Sequence, residues 1–156
     1  MNILITRPLM DAEDLMERFF VYGHKIIHLP TLKISTVETE LVNPDNFDAF
    51  VFTSANAVRN LKITNTSKNL HCFCVGSITE KIARQSGFKS TTSAGGTVNA
   101  LKNLIMISDK VTKNSNLAYF CGDNVSYDLD LALIKEGLKI KKIINYSSEI
   151  ISDLNN

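Results

Sequence analysis

The chain has 156 residues, enough for one good core, and its 44% hydrophobic and 21% charged residues are those of a globular protein, not a disordered one. With 17 basic against 16 acidic residues the net charge is +1, which gives no long-range attraction for nucleic acid or an anionic membrane. No apolar run approaches the roughly 20 residues that span a bilayer, so no nucleic acid and no membrane is expected as a partner. An acidic small molecule stays open, because a local cluster of amides binds carboxylates without net charge.

Residues 2–6 read as a strand, followed by a helix over residues 11–22 with Leu15, Phe19 and Tyr22 on one stripe and Asp11, Glu13 and Asp14 in its first turn. Gly23 suits the left-handed end of that helix, and a second strand over residues 25–29 stops at Pro30. Residues 31–46 have weak periodicity and read as a connector. The almost continuous apolar run ending at Phe52 is the pattern of a strand covered on both faces. A short helix with Val58 and Leu61 follows, then a polar loop over residues 64–69.

The same grammar recurs. Residues 71–75 read as a strand, Ile78, Ile82 and Ala83 as a helix ended by Gly87, and residues 88–92 as a brief strand. A helix is expected over residues 98–106, a strand over 117–120, a helix with Leu129, Leu133 and Ile134 closed by Gly137, and a last strand over 139–146. Repeated βα units with right-handed crossovers predict an α/β fold with a mainly parallel sheet between helical layers. The unit over residues 2–29 supplies just two strands, too few to bury its own faces, whereas residues 47–146 hold some five and form a domain alone.

Three cysteines offer no paired framework, and residues 1–8 lack a basic leader and a cleavage site, so a reducing, cytoplasmic location is expected. Cys72 and Cys74 are read as facing opposite ways from their strand, as plain thiols and not metal ligands. His24, His28 and His71 have no Cys or carboxylate at ligand spacing, so no metal is expected. There is no Walker motif, no dinucleotide glycine fingerprint and no nucleophile elbow.

In a parallel sheet, ligands bind outside the carboxyl ends of the strands. The Ser, Thr, Gly and Asn residues fall there: Thr6-Arg7-Pro8, Thr53-Ser54-Ala55-Asn56, Gly76-Ser77, Ser93-Ala94-Gly95-Gly96-Thr97 and Gly122-Asp123-Asn124. Small residues at helix starts leave backbone N–H groups pointing outward, which suits carboxylate or phosphate. Taken singly, Ser54, Thr97 or Asn124 reads equally as an N-cap, and Gly95-Gly96 as a tight turn. Arg7 faces either an anion or a surface ion-pair partner. Tyr146, ending the last strand, either packs or places its hydroxyl in the same cleft.

Six segments, in order, resemble uroporphyrinogen-III synthase: Ile3-Leu4-Ile5-Thr6-Arg7-Pro8, Gly23-His24 through Leu29-Pro30, Phe50 through Val58, Val75-Gly76, Ser93-Ala94-Gly95-Gly96, and Tyr119-Phe120-Cys121-Gly122. The most specific is Phe52-Thr53-Ser54-Ala55-Asn56-Ala57-Val58. The resemblance implies a cofactor-free lyase of tetrapyrrole synthesis. Its substrate is hydroxymethylbilane, a linear tetrapyrrole with eight carboxylates, which is cyclised with inversion of the last ring and loss of water. It also implies two similar α/β domains with substrate between them, the chain starting in one, traversing the other and returning.

On this pattern residues 1–30 are the opening of an incomplete first domain, 31–35 a connector, 36–144 a complete second domain, and 145–156 the return connector. Tyr146 matches a tyrosine proposed to assist catalysis in the family. Thr6, Arg7, Thr53, Ser54, Asn56, Gly76, Ser93, Gly95, Gly96, Gly122 and Ser147 are the implied substrate contacts. The chain stops where the family returns to complete its first domain, so a homodimer is one expected way of completing it. The other reading is an inactive α/β domain that binds a small anion or a protein partner.

Overall fold

Residues 1–63 and 69–152 are described by a computed structural model. Strand β1 (Asn2–Ile5), helix α1 (Leu9–Val21) and strand β2 (Lys25–His28) open the chain. The strands pair in parallel, with Ile3 opposite Ile26 and Leu4 opposite Ile27. Among the described residues, 1–35 and 148–152 form one compact unit. Its core is small: Ile5 and Ala12 are buried, while Leu15 and Tyr22 of the expected α1 stripe are 38% and 76% exposed. Two strands present too narrow a face to cover a whole helix stripe.

The second unit, Thr36–Ser147, carries the main sheet. Its elements are β4 (Ala49–Phe52), α2 (Ala55–Arg59), β5 (His71–Cys74), α3 (Ser77–Gln85), β6 (Ser90–Ser93), α4 (Val98–Ile107), β7 (Asn116–Gly122), α5 (Leu129–Lys135) and β8 (Lys139–Ile150). Strand β3 (Leu32–Thr36), four of whose five residues belong to the first unit, precedes them, with a single 3-10 turn, Pro44–Asn46, capped by the Asn43 side chain accepting from the Asp45 N–H. The six-stranded order is β3-β8-β7-β4-β5-β6. Strands β4 to β8 are joined by parallel ladders, as βα units predict.

Alternation sorts the strand side chains into two cores. Val51, Phe73, Leu117, Tyr119 and Cys121 pack with Leu101 and Ile105 of α4 and Leu129 and Leu133 of α5. Phe50, Phe52, Cys72, Cys74 and Phe120 pack with Ala57 and Val58 of α2 and Ala83 of α3. The result is a three-layer α/β unit, and β4 is buried on both faces as its apolar run predicts. Gly23, Gly87 and Gly137 each have positive φ just past a helix, so all three punctuate as expected.

Several expectations are corrected. The connector over residues 31–46 contains strand β3. The sixth strand is Ser90–Ser93, not residues 88–92, because Phe88 is drawn into the core below α3. Strand β8 continues past Tyr146 to Ile150. Ile78 and Ile134 are 64% and 49% exposed, since Thr79 with Ala83, and Leu129 with Leu133, take the buried i,i+4 lines. Residues 64–68 of the expected loop lie outside the described residues.

Cys72 and Cys74 share one face and one core cluster, as the period of two requires of residues i and i+2. Burial pushes both thiols up, Cys74 to about 12, and raises Cys121 as well. A thiol reagent at pH 8 is therefore expected to find no reactive cysteine in the native protein and three after unfolding. Labelling of the native protein at the rate of a free thiol would contradict this packing.

Candidate functional site

The chain leaves β4 toward β5 and β6 on one side, then crosses to β7 and β8 on the other. The reversal lies between β4 and β7, and in such sheets the crevice opens outside the carboxyl ends of those two strands. Thr53 follows β4 there, and Gly122 ends β7. Because β4 to β8 are parallel, the loops after β5 and β6 and the end of β8 come to the same edge.

Contacts knit this edge together. The Val75 N–H donates to the Phe52 carbonyl at 3.0 Å, Ala94 N–H to Cys74 at 3.0 Å and Gly96 N–H to Val75 at 2.7 Å. A Cβ at Gly76 would lie 3.3 Å from the Gly96 Cα, so the Gly76 and Gly95-Gly96 turns touch. Thr53 and Tyr119 share a hydroxyl–hydroxyl hydrogen bond of 3.2 Å, and burial pushes the Tyr119 phenol up.

Tyr146 sits opposite Gly122 in the β7–β8 ladder. A Cβ on Gly122 would meet the Tyr146 ring at 2.7 Å and its hydroxyl at 3.0 Å, so only a bare Cα admits the ring there. The Asp123 N–H donates to the Tyr146 carbonyl at 3.1 Å. The ring packs partly against the core on the α2–α3 side.

Other sequence-predicted site residues have local tasks. Ser54 caps α2, accepting from the Asn56 N–H at 3.1 Å. Asn56 is buried, its side-chain oxygen accepting from the Arg59 guanidinium at 2.9 Å. Ser93 hydrogen-bonds Glu80, and that bond, followed by those from Arg84 and Thr91, holds the Glu80 carboxyl below its ordinary range. Ser147, half-buried, follows Tyr146 in β8. Thr6 and Arg7 belong to the first unit, where the Thr6 carbonyl accepts the Thr31 N–H at 2.9 Å and the Arg7 carbonyl faces the His28 ring at 2.9 Å.

Sequence reading missed Asn145. It is 2% exposed and its Nδ2 donates to the Ala57 carbonyl at 2.7 Å. The sequence carries no signal for it: only in the folded unit do Ile143 and Tyr146, three apart, both face the α2–α3 core, which strict alternation forbids without an extra residue. Tyr119 was read only as a family motif residue, and its hydroxyl pairing with Thr53 was not foreseen.

A shallow cavity of about 510 Å³ on α4 and α5, lined by Lys102, Tyr127, Lys135 and Glu136 among others, contains none of the predicted site residues. Nor does one of about 370 Å³ beside His71 and Lys110. Among the described residues no cluster of His, Cys, Asp and Glu could hold a metal ion, and no helix is long and apolar enough to cross a membrane.

The fold has counterparts among solved structures. Uroporphyrinogen-III synthetase from Helicobacter pylori superposes with a TM-score of 0.60 at 19% identity, over 81% of this chain and 56% of that one. A mutant uroporphyrinogen III synthase from Thermus thermophilus gives 0.58 at 14% identity, over 96% of this chain and 63% of that one. This chain therefore spans roughly three-fifths of their length. No curated protein sequence matches it. The family model for uroporphyrinogen-III synthase HemD matches residues 13–156, nearly the whole chain. The chain belongs to the uroporphyrinogen-III synthase HemD family.

Proposed function

We propose that this protein acts in the cytoplasm as a uroporphyrinogen-III synthase, closing hydroxymethylbilane with inversion of the last pyrrole ring and net loss of water. One observation carries the reading: the turns at Thr53, Gly76, Gly95-Gly96 and Gly122 meet at one sheet edge, with the Tyr146 ring seated on Gly122. Backbone N–H groups and hydroxyls at such an edge suit a substrate bearing eight carboxylates.

The chemistry asks little beyond positioning and one proton. Departure of hydroxide from the hydroxymethyl group leaves an azafulvenium cation, which the terminal pyrrole attacks at its substituted carbon, and the proton lost when the ring recloses returns to the acid. The spiro intermediate fragments and recloses with the ring turned over. A proton delivered by the Tyr146 hydroxyl lets the leaving group depart as water. The remaining contacts of this unit, Thr53, Ser54, Asn56, Gly76, Ser93, Gly95, Gly96, Gly122 and Ser147, hold a flexible substrate in the productive fold and away from uncatalysed closure.

The test is an isomer assay. Purified protein given fresh hydroxymethylbilane should yield, after oxidation of the products, isomer III well above the no-protein control. Isomer I alone from folded protein would favour the second reading, an inactive α/β domain that binds an anion or a protein. In the first unit, Leu4, Phe20, Val21, Tyr22 and Ile27 are each more than half exposed, which supports a homodimer covering that surface. Sedimentation velocity on the assayed sample checks it, and a monomer that makes isomer III would remove the dimer from the proposal.

A further inference from the structure

The β7–β8 ladder is regular from Asn116 opposite Lys139 to Cys121 opposite Ile144. It then skips one residue, and Gly122 faces Tyr146. Asn145 is that extra residue, the bulge of β8. In an unbulged ladder Asn145 would face Gly122, and Tyr146 would turn to the other face of the sheet, away from Gly122.

The bulge is held by its own side chain. Helix α2 has five residues, so its last carbonyls lack intrahelical donors. The Leu61 N–H goes to Val58 and the Asn60 N–H to Asn56, and the Ala57 carbonyl takes the Asn145 amide at 2.7 Å. On the backbone side, the Asn145 carbonyl accepts the Val37 N–H at 3.1 Å. The Asn145 Oδ1 is buried with no hydrogen-bond partner. A half-satisfied amide at this depth is a poor choice for packing alone, since an apolar residue would avoid the unpaired acceptor. Its use is directional: it ties the bulge to α2 at the point where Tyr146 must turn toward Gly122.

We propose that Asn145 is a positioning residue, fixing the β8 bulge to α2 so that the Tyr146 hydroxyl stands over Gly122 at the strand-end edge. The proposal deepens the synthase reading and, for its link to turnover, rests on it. A misplacement of about 1 Å lowers a rate by about 100-fold.

The chain has four tyrosines and no tryptophan, so 3-fluorotyrosine labelling gives four fluorine resonances, each assigned by a single Tyr→Phe variant. In Asn145→Ala the Tyr146 resonance should move, while that of Tyr119, buried in the opposite core, keeps its position and reports an intact fold. Isomer III turnover should fall at least tenfold in kcat with little change in KM. Adding Asn145→Ala to Tyr146→Phe should lower the rate no further, because the residue acts only through the phenol.

An unmoved Tyr146 resonance overturns the proposal, and so does an additive loss in the double variant. If Asn145→Ala fails to fold, Asn145→Ser, too short to reach Ala57, takes its place with the same expectations. Unfolding of both would also overturn it, since Asn145 would then hold the domain and not the tyrosine. Should the unsubstituted protein make no isomer III, the synthase reading fails while the fluorine result still decides whether Asn145 places Tyr146.

Discussion

Replacing Phe50 with Ala is expected to remove about 3–5 kcal/mol of unfolding free energy, the range for truncating a large aromatic in a closed core. Phe50 is fully buried on β4, the strand hydrogen-bonded on both sides by β5 and β7. Its ring centroid lies 5.1 Å from that of Phe120, 6.0 Å from Phe88, 6.2 Å from Phe52 and 6.3 Å from Phe47. Each of these pairs is edge-on, the arrangement that aromatic quadrupoles favour. Truncation therefore removes buried area and leaves rings that cannot collapse inward, because a sheet backbone fixes two of them. Urea unfolding followed by circular dichroism should show a lower midpoint with an unchanged slope. Ile107→Ala, at a side chain 82% exposed, is the control and should shift stability by under about 0.5 kcal/mol. A loss below about 1.5 kcal/mol at Phe50 would mean the rings do not pack as described.

The second large effect is on turnover. Tyr146→Phe keeps the ring against Gly122 and removes only the hydroxyl, so the fold should persist with stability changed by about 1 kcal/mol or less. If the phenol is the acid that lets water leave, isomer III formation should drop by about 10²–10⁴-fold, with KM little altered. The product should shift to isomer I, because released substrate closes spontaneously. A rate equal to the unsubstituted protein would show that Tyr146 packs and nothing more. Gly122 offers a companion experiment, since a Cβ added there would lie 2.7 Å from the ring, so Gly122→Ala should displace the tyrosine that Tyr146→Phe leaves seated.

Much of the candidate edge was readable in the residues. The turns at Thr53, Gly76, Gly95-Gly96 and Gly122 follow from the apolar or extended runs before them; the ends of β4, β5 and β6 lie within one residue of the reading, while β7 runs two residues further and β8 four. The tasks of individual side chains were not readable. Ser54 as a cap, Ser93 tied to Glu80 and Asn56 tied to Arg59 depend on which neighbours the fold supplies. A hydroxyl in a sequence does not state whether its partner is the protein or a ligand.

Local chemistry was sufficient for the elements themselves. Continuous apolar character made β4 an interior strand, and glycines at positions 23, 87 and 137 stopped helices wherever a left-handed residue was needed. Both signals act within one turn or one strand, so neither needs the rest of the chain. Tertiary structure alone decided three things. Strand β3, polar and at the sheet edge, exists because β8 lies beside it, and edge strands carry little apolar pattern of their own. The strand order, with its reversal between β4 and β7, follows from helices choosing faces, which no single segment encodes. The β8 bulge depends on an acceptor in α2, 88 residues away in sequence, and it is this long-range hydrogen bond that sets which face Tyr146 occupies.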